Sequence, residues 1–242
     1  MTIHTLSFYD MRDALSLPGC PVCRLKAEYV EQFIDNLLYE KVNDPGLRDR
    51  IRQARGFCHE HAWGLARRGA ALGVAIILRD VLEELQRHIT TNLLEAASPS
   101  PGRLHRSLSK RRAKAAATQL FAVLGPQEPC MICALASEAE RGYLGALRER
   151  LLGDEGLLAL YVNSDGLCLP HFRQAIARVD DPAVFRALVE AQHAIWDRLD
   201  QRLSEAIRKS DYRFSHEPSG DEAGSWLRAI AALAGEPRRR GS

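Results

Sequence analysis

The chain has 242 residues, 46% of them hydrophobic and 26% charged, with 33 Lys and Arg against 31 Asp and Glu. That apolar fraction supports a sizeable core, and a net charge of +2 excludes a globally basic nucleic-acid binder and an acidic disordered chain. No apolar run reaches the ~18 residues of a membrane span, and the opening MTIHTLSFYDMRD lacks the basic and apolar regions of a signal peptide, so the expected location is cytoplasmic.

In chain order, Leu25, Val30, Phe33, Ile34, Leu37, Leu38 and Val42 recur at helical spacing and predict a first long helix. Asn43-Asp44-Pro45-Gly46 ends it with turn chemistry. A short helix through Leu47 and Ile51 follows, then Gly56, then a helix carrying Cys58, His61 and Leu65. Residues 72–95 read as a long helix through Val74, Ile77, Leu78, Val81, Leu82, Leu85, Ile89 and Leu93. Residues 96–127 contain no Asp or Glu. They run from Ser98-Pro-Ser-Pro-Gly102, which reads as a linker, through a basic stretch to a candidate helix over Ala113–Leu124. The second half repeats the plan with helices over Leu135–Leu152, Leu157–Tyr161, Cys168–Val179 and 182–208. The tail from about 211 carries a short amphipathic piece, Trp226 to Leu233, and ends in Arg238-Arg239-Arg240, where disorder is expected. No stretch alternates like a strand.

Six cysteines in a chain of this length, with no sign of export, point away from a disulfide framework. Cys20-Pro-Val-Cys23 is followed after 34 residues by Cys58-His59-Glu60-His61, and Cys130-Met-Ile-Cys133 after 34 residues by Cys168-Leu-Pro-His171. An offset of 110 carries Cys20, Cys23, Cys58 and His61 onto Cys130, Cys133, Cys168 and His171 without a gap, with eleven identities in 42 positions. Among them are Leu37/Leu147, Asp44/Asp154 and Gly56/Gly166. An internal duplication follows, and the fold class is all-α. Two tandem repeats of about three to four helices are expected, each clamped by its own Cys₃His site. The expected organisation is 1–96 for the first repeat, 97–126 for the basic linker with its helix, 127–210 for the second repeat and 211–242 for the tail.

Three thiolates and one imidazole suit a closed tetrahedral zinc site, so two Zn²⁺ per chain are expected. An iron–sulfur cluster is the alternative, since histidine can replace cysteine there. A thioredoxin-like dithiol wants a βαβ context that the chain lacks. Cys20-Pro-Val-Cys23-Arg-Leu, Leu38-Tyr39-Glu40, Asn43-Asp44, Gly56-Phe57-Cys58-x-x-His61 and Gly73-Val-Ala-Ile resemble a family of bacterial proteins that carries only a domain-of-unknown-function label. The resemblance covers roughly 15–205. It implies a cytosolic bacterial metal-binding protein and brings no activity with it.

The halves differ in ways that matter for function. Tyr39-Glu40 becomes Glu149-Arg150, and His59-Glu60 becomes Leu169-Pro170. Tyr39, Glu40, His59, Glu60 and Trp63 therefore mark either a small site beside the first metal or a solvated helix face with a packed Trp. Glu190-Ala-Gln-His193 has di-iron spacing without the second motif that chemistry needs. Four protein ligands leave a metal no open position. No cysteine is left over as a nucleophile, and no phosphate loop, HExxH or GxSxG occurs, so no enzyme is indicated. The expected function is a non-enzymatic interaction or regulatory module with two structural zincs and an unknown protein partner. Alternatives are an iron–sulfur or thiolate redox sensor, and a nucleic-acid binder acting through Arg103, Arg106, Lys110, Arg111, Arg112 and Lys114.

Overall fold

The computed structural model describes residues 3–97, 105–153, 156–214 and 216–237. Among these the secondary structure is entirely helical: α1 (Ile3–Leu15), α2 (Pro21–Tyr39), α3 (Pro45–Gln53), α4 (His59–Gly64), α5 (Ala71–Ala97), α6 (His105–Leu124), α7 (Met131–Glu149), α8 (Leu158–Asn163), α9 (Leu169–Ile176), α10 (Pro182–Lys209), a 3₁₀ turn (Tyr212–Phe214) and α11 (Ser225–Ala234). The expected all-α class stands. At the 110-residue offset α2 falls on α7, α4 on the start of α9 and α5 on α10, and α6 and α11 end at matching positions. The candidate linker helix begins at His105, ahead of the expected Ala113. The expected disorder at the end of the tail lies outside the described residues.

Local chemistry sets the helix starts. Asp44 accepts the Leu47 N–H at 2.8 Å, and Pro45 opens α3. Asp181 accepts the Ala183 N–H at 2.7 Å, and Pro182 opens α10. In both cases an Asp cap satisfies an orphan donor and a proline occupies a position that needs no N–H. The apolar spacing of the sequence does not mark α1, a helix of 13 residues; among its described side chains Met11, Ala14 and Leu15 are buried and Phe8 is half-buried.

The chain forms two compact units, dividing after Tyr29 and again after Leu135. One unit joins the segment up to Tyr29 with the chain from Ala136 onward; the other holds Val30–Leu135. Both divisions fall inside helices, α2 and α7. Each long CxxC helix therefore gives its first turns to one unit and its remainder to the other.

In the first unit Met11, Leu15, Val22, Leu144, Leu147, Leu151, Tyr161, Leu167, Leu188 and Ile195 form one core. Helix α10 packs on α8 and α11, and α11 also on α9. A buried polar knot holds the turn before α9. The Tyr161 hydroxyl donates to Gln192 Oε1, and the Leu167 N–H donates to the same oxygen at 3.1 Å. In the second unit Ile34, Leu37, Ile51, Leu65 and Ile77 are buried. Helix α5 packs on α3 and α6. A side chain at Gly73 would bring its Cβ within 2.7 Å of the Leu38 carbonyl oxygen, so α5 can approach α2 only through glycine. Asp80 of α5 accepts from Arg48 at 3.1 Å and Arg52 at 2.7 Å, and these guanidinium groups hold its carboxyl below the usual carboxylate range against the opposing effect of burial. Arg55 donates to the Val123 carbonyl at 2.7 Å, and the Gln127 N–H to the Gln53 carbonyl at 2.8 Å, tying the end of α6 to the end of α3.

Replacing Gln192 by Leu removes the acceptor shared by Tyr161 and Leu167 inside a dry core. The expected loss is about 1–3 kcal/mol of stability, read as a lower urea midpoint at unchanged slope. A midpoint equal to that of the wild type contradicts this account of the knot.

Candidate metal centres

Glycine prepares both Cys-x-x-His turns. Gly56 has φ +99° and Gly166 φ +68°, and each reverses the chain two residues before a cysteine. A Cβ at Gly166 would also meet Ile195 at 2.8 Å and Gln192 at 3.0 Å. Cys58 and Cys168 are then the N-cap residues of α4 and α9, both in extended conformation (φ −63°, ψ 163° and φ −67°, ψ 157°). The histidine three residues on points its Nδ1 back at the cap sulfur, 3.1 Å from Sγ in each case. This is the local geometry that the Cys-x-x-His spacing predicts.

The pairing of these turns with the CxxC segments is not the predicted one. The sequence expectation joins Cys20 and Cys23 to Cys58 and His61, and Cys130 and Cys133 to Cys168 and His171. The structure instead gathers Cys20, Cys23, Cys168 and His171 in the first unit, and Cys58, His61, Cys130 and Cys133 in the second. All eight predicted residues belong to the two clusters, and each cluster is a Cys₃His set able to hold a metal ion. Each takes its CxxC from one half of the sequence and its CxxH from the other.

The physical reason lies in the long helices. Arg67, just beyond α4, donates to the Gly64 carbonyl at 2.8 Å and pairs with Glu31 and Asp35 at 2.8 Å each. Helix α4 is thereby fixed beside the middle of α2. At 1.5 Å per residue, Asp35 is about 18 Å along the helix from Cys23. His171 likewise lies against Glu140, about 10 Å along α7 from Cys133 on the same rise. Each CxxH turn thus packs partway down its own half's helix, out of reach of the CxxC at that helix's start. Chain entropy opposes the exchange only weakly. A half-wise site joins Cys23 and Cys58, 35 apart in sequence, whereas Cys23 and Cys168 are 145 apart. Two doublings of loop length cost about 1.2 kcal/mol.

Within the first cluster Cys23 and Cys168 Sγ are 3.7 Å apart, and His171 Nδ1 lies 3.3 Å from Cys20 and 3.5 Å from Cys23. In the second, Cys58 and Cys133 Sγ are 3.5 Å apart, and His61 Nδ1 lies 3.6 Å from Cys130 and 3.2 Å from Cys133. In both sets the four ligand atoms fall within 4.8 Å of one another.

The surroundings differ. Cys20, Cys168 and His171 are buried and Cys23 half-buried. On the far side of the His171 ring from the sulfurs, Glu140 stands 3.6 Å from Nε2. That carboxylate also takes Lys26 at 2.8 Å and the Gln174 amide. Contact with His171, then with Lys26 and Gln174, outweighs burial and brings Glu140 down to about 2. Burial opposes a charged His171, but Cys168, Cys23 and Glu140 hold it up at about 11. The Gly19 N–H donates to Asp165 at 2.7 Å, fixing the approach to Cys20. In the second cluster His61 is buried, Cys58 and Cys130 are half-buried and Cys133 is exposed. Sequence reasoning missed Glu140 and Asp165. Asp165 becomes a partner of the cluster through the exchanged pairing, by way of Gly19, whereas Glu140 meets His171 within the second half, where no spacing marks it; position 30, which matches 140, is Val.

The residues singled out beside the first CxxC are solvent-facing. Tyr39, Glu40, His59, Glu60 and Trp63 are all exposed, Trp63 at 69%. The Tyr39 hydroxyl donates to the Arg68 carbonyl at 3.3 Å, and His59 meets Trp63 edge-on at 6.5 Å between ring centres. His59, Glu60 and Trp63 ride on α4, so they lie on the helix that opens at Cys58 of the second cluster. Glu190 and His193 are exposed on α10 and belong to neither cluster. Of the basic stretch, Arg111, Arg112 and Lys114 are exposed on α6. Arg103 and the side chains of Arg106 and Lys110 lie outside the described residues. Among the described residues no helix is long and apolar enough to cross a membrane.

Fold and site together define an all-helical protein with two Cys₃His clusters. The family model described as "Family of unknown function (DUF6062)" matches residues 2–240, and the chain belongs to that family. The chain is similar to the "Uncharacterized 23.9 kDa protein in xynA 3'region" of Caldicellulosiruptor sp. (strain Rt8B.4), with 26% identity over 217 residues, covering 89% of this chain and 95% of that protein. No solved structure matches.

Two double variants distinguish the pairings. Cys20→Ser with Cys168→Ser is expected to lose one metal per chain, because both changes fall in one cluster. Cys20→Ser with Cys58→Ser is expected to lose both. Half-wise pairing predicts the reverse metal contents, as elemental analysis of the purified variants would show.

Proposed function

We propose that the protein is a non-enzymatic zinc-binding helical module in which two structural Zn²⁺ ions staple segments far apart in the sequence, leaving its helical faces for an interaction or regulatory partner. The spacing of the ligand atoms carries this reading. Tetrahedral zinc with Zn–S near 2.3 Å and Zn–N near 2.05 Å spaces its ligand atoms about 3.8 Å (S···S) and about 3.6 Å (S···N) apart. Cys23 and Cys168 at 3.7 Å, Cys58 and Cys133 at 3.5 Å, and sulfur-to-Nδ1 distances of 3.1–3.6 Å lie at or slightly below those values, with every ligand pair inside 4.8 Å. They suit one small ion per cluster. An iron–sulfur cluster distributes its protein ligands over different irons, which a 4.8 Å ceiling on all four ligand atoms disfavours. Cys₃His saturates a tetrahedral ion, so neither metal offers the open position that zinc catalysis uses.

Protein purified anaerobically without added metal is expected to hold about two zinc per chain, and stripping it with a chelator to lower the melting temperature sharply. Several iron atoms with sulfide would overturn the zinc reading in favour of a redox or sensing role. His59→Ala is expected to leave the metal content unchanged, since His61 supplies the imidazole.

A second reading rests on the exposure of Arg111, Arg112 and Lys114 on α6, in a stretch free of acidic residues. Such a face suits an acidic polymer such as nucleic acid through phosphate contacts. Salt-dependent retention on immobilised DNA or RNA, lost in Arg111→Ala/Arg112→Ala, is the expected result. Retention unchanged by those substitutions assigns it elsewhere.

A further inference from the structure

The two clusters share a ligand set and the Gly-x-Cys-x-x-His turn, and differ in what backs the histidine and what covers the sulfurs, which makes each a control for the other. Three features protect the first. Its histidine is backed by Glu140, which is itself held by Lys26 and Gln174. The chain leaving α11 passes over its sulfurs: a Cβ at Gly235 would touch Cys23 Sγ at 3.5 Å and Cys168 Sγ at 3.8 Å. The next residue, Glu236, donates its backbone N–H to Cys23 Sγ at 3.5 Å. Carboxylate support of a ligating histidine and N–H donation to a thiolate both favour the bound state of a metal.

At the 110-residue offset the carboxylate support and the Glu236 N–H have no counterpart, although backbone N–H groups of Cys58, Ile132 and Cys133 face the Cys130 sulfur in the second cluster. Glu140, Lys26 and Gln174 correspond to Val30, Ala136 and Gly64, none of which carries a charged or hydrogen-bonding side chain. Glu236 corresponds to Pro126, which has no N–H. A Cβ at Gly125, the counterpart of Gly235, would meet only the Phe121 and Ala122 carbonyl oxygens, with no sulfur within 4 Å. Cys133 is exposed, and Cys58 and Cys130 are half-buried. Arg67 anchors the α4 backbone through the Gly64 carbonyl and Glu31 and makes no contact with these sulfurs among its hydrogen bonds and ion pairs.

Resting on the zinc reading above, we propose that the two metals are unequal. The ion at Cys20, Cys23, Cys168 and His171 is locked in, and the ion at Cys58, His61, Cys130 and Cys133 exchanges with outside ligands. Exchange starts at the exposed sulfur of Cys133, where an incoming thiolate or chelating group reaches the metal and takes the place of that ligand. The chemistry is ligand substitution, with no change in oxidation state. The second cluster is then the point at which zinc supply or a competing thiol loosens the unit around Val30–Leu135 while the first cluster holds its own unit closed.

The test is zinc transfer from the full-length, zinc-loaded protein to an excess of a chromophoric chelator under anaerobic conditions. One equivalent is expected to leave at least about tenfold faster than the other, on the scale that neighbouring partners impose on metal affinity. N-ethylmaleimide added after the fast phase, followed by peptide mass spectrometry, is expected to label Cys58, Cys130 and Cys133 and to spare Cys20, Cys23 and Cys168. That assignment needs no variant. Glu140→Gln is expected to speed the slow phase about tenfold and leave the fast phase unchanged. Two equivalents leaving in one phase, or labels on Cys20, Cys23 and Cys168 first, overturn the inequality while the zinc reading stands. A protein that takes up no zinc overturns both.

Discussion

The structure depends on convergence: four ligand atoms must meet in a volume under 5 Å across, and in each cluster they come from two remote parts of the chain. Cys20 and His171 are separated by 151 residues and Cys58 and Cys133 by 75. A metal held at each point would replace a large weak closure by a few strong bonds. Everything else positions the four pieces: the Asp-Pro starts of α3 and α10, the left-handed glycines before α4 and α9, the Tyr161–Gln192 knot and the Arg67 clasp.

Because each CxxC helix is long and each CxxH turn packs along its own half's helix, the CxxC at the start of α2 is free only for the other half's turn. The same holds for α7. The two compact units are therefore each composite in sequence, and neither half contains a complete ligand set. A chain of this design is committed to both halves at once. Truncation between the halves deletes half the ligands of both clusters.

Much of this was legible in the residues. The apolar spacing of Leu25 through Leu38 marked α2, the Asn43–Gly46 turn marked its end, and the offset of 110 marked all eight cluster residues. The pairing was not legible, because spacing within a half says which residues are ligands and nothing about which half they face. Loop entropy favours the local choice by only about 1 kcal/mol, too little to decide it. Helix α1 stayed hidden because 13 residues offer few turns of apolar spacing to read. Glu140 stayed hidden because an acidic residue on a helix gains meaning only when a histidine from elsewhere arrives beside it. The polar residues near Cys58 drew notice for their contrast with the second half, and they face solvent.

The central claim is that each metal joins the CxxC of one half to the CxxH of the other. Substituting both sites with ¹¹³Cd and correlating each cadmium with the protons of its ligands tests this directly. One resonance should couple to Cys20, Cys23, Cys168 and His171, and the other to Cys58, His61, Cys130 and Cys133. A resonance coupled to Cys20, Cys23, Cys58 and His61 would contradict the account.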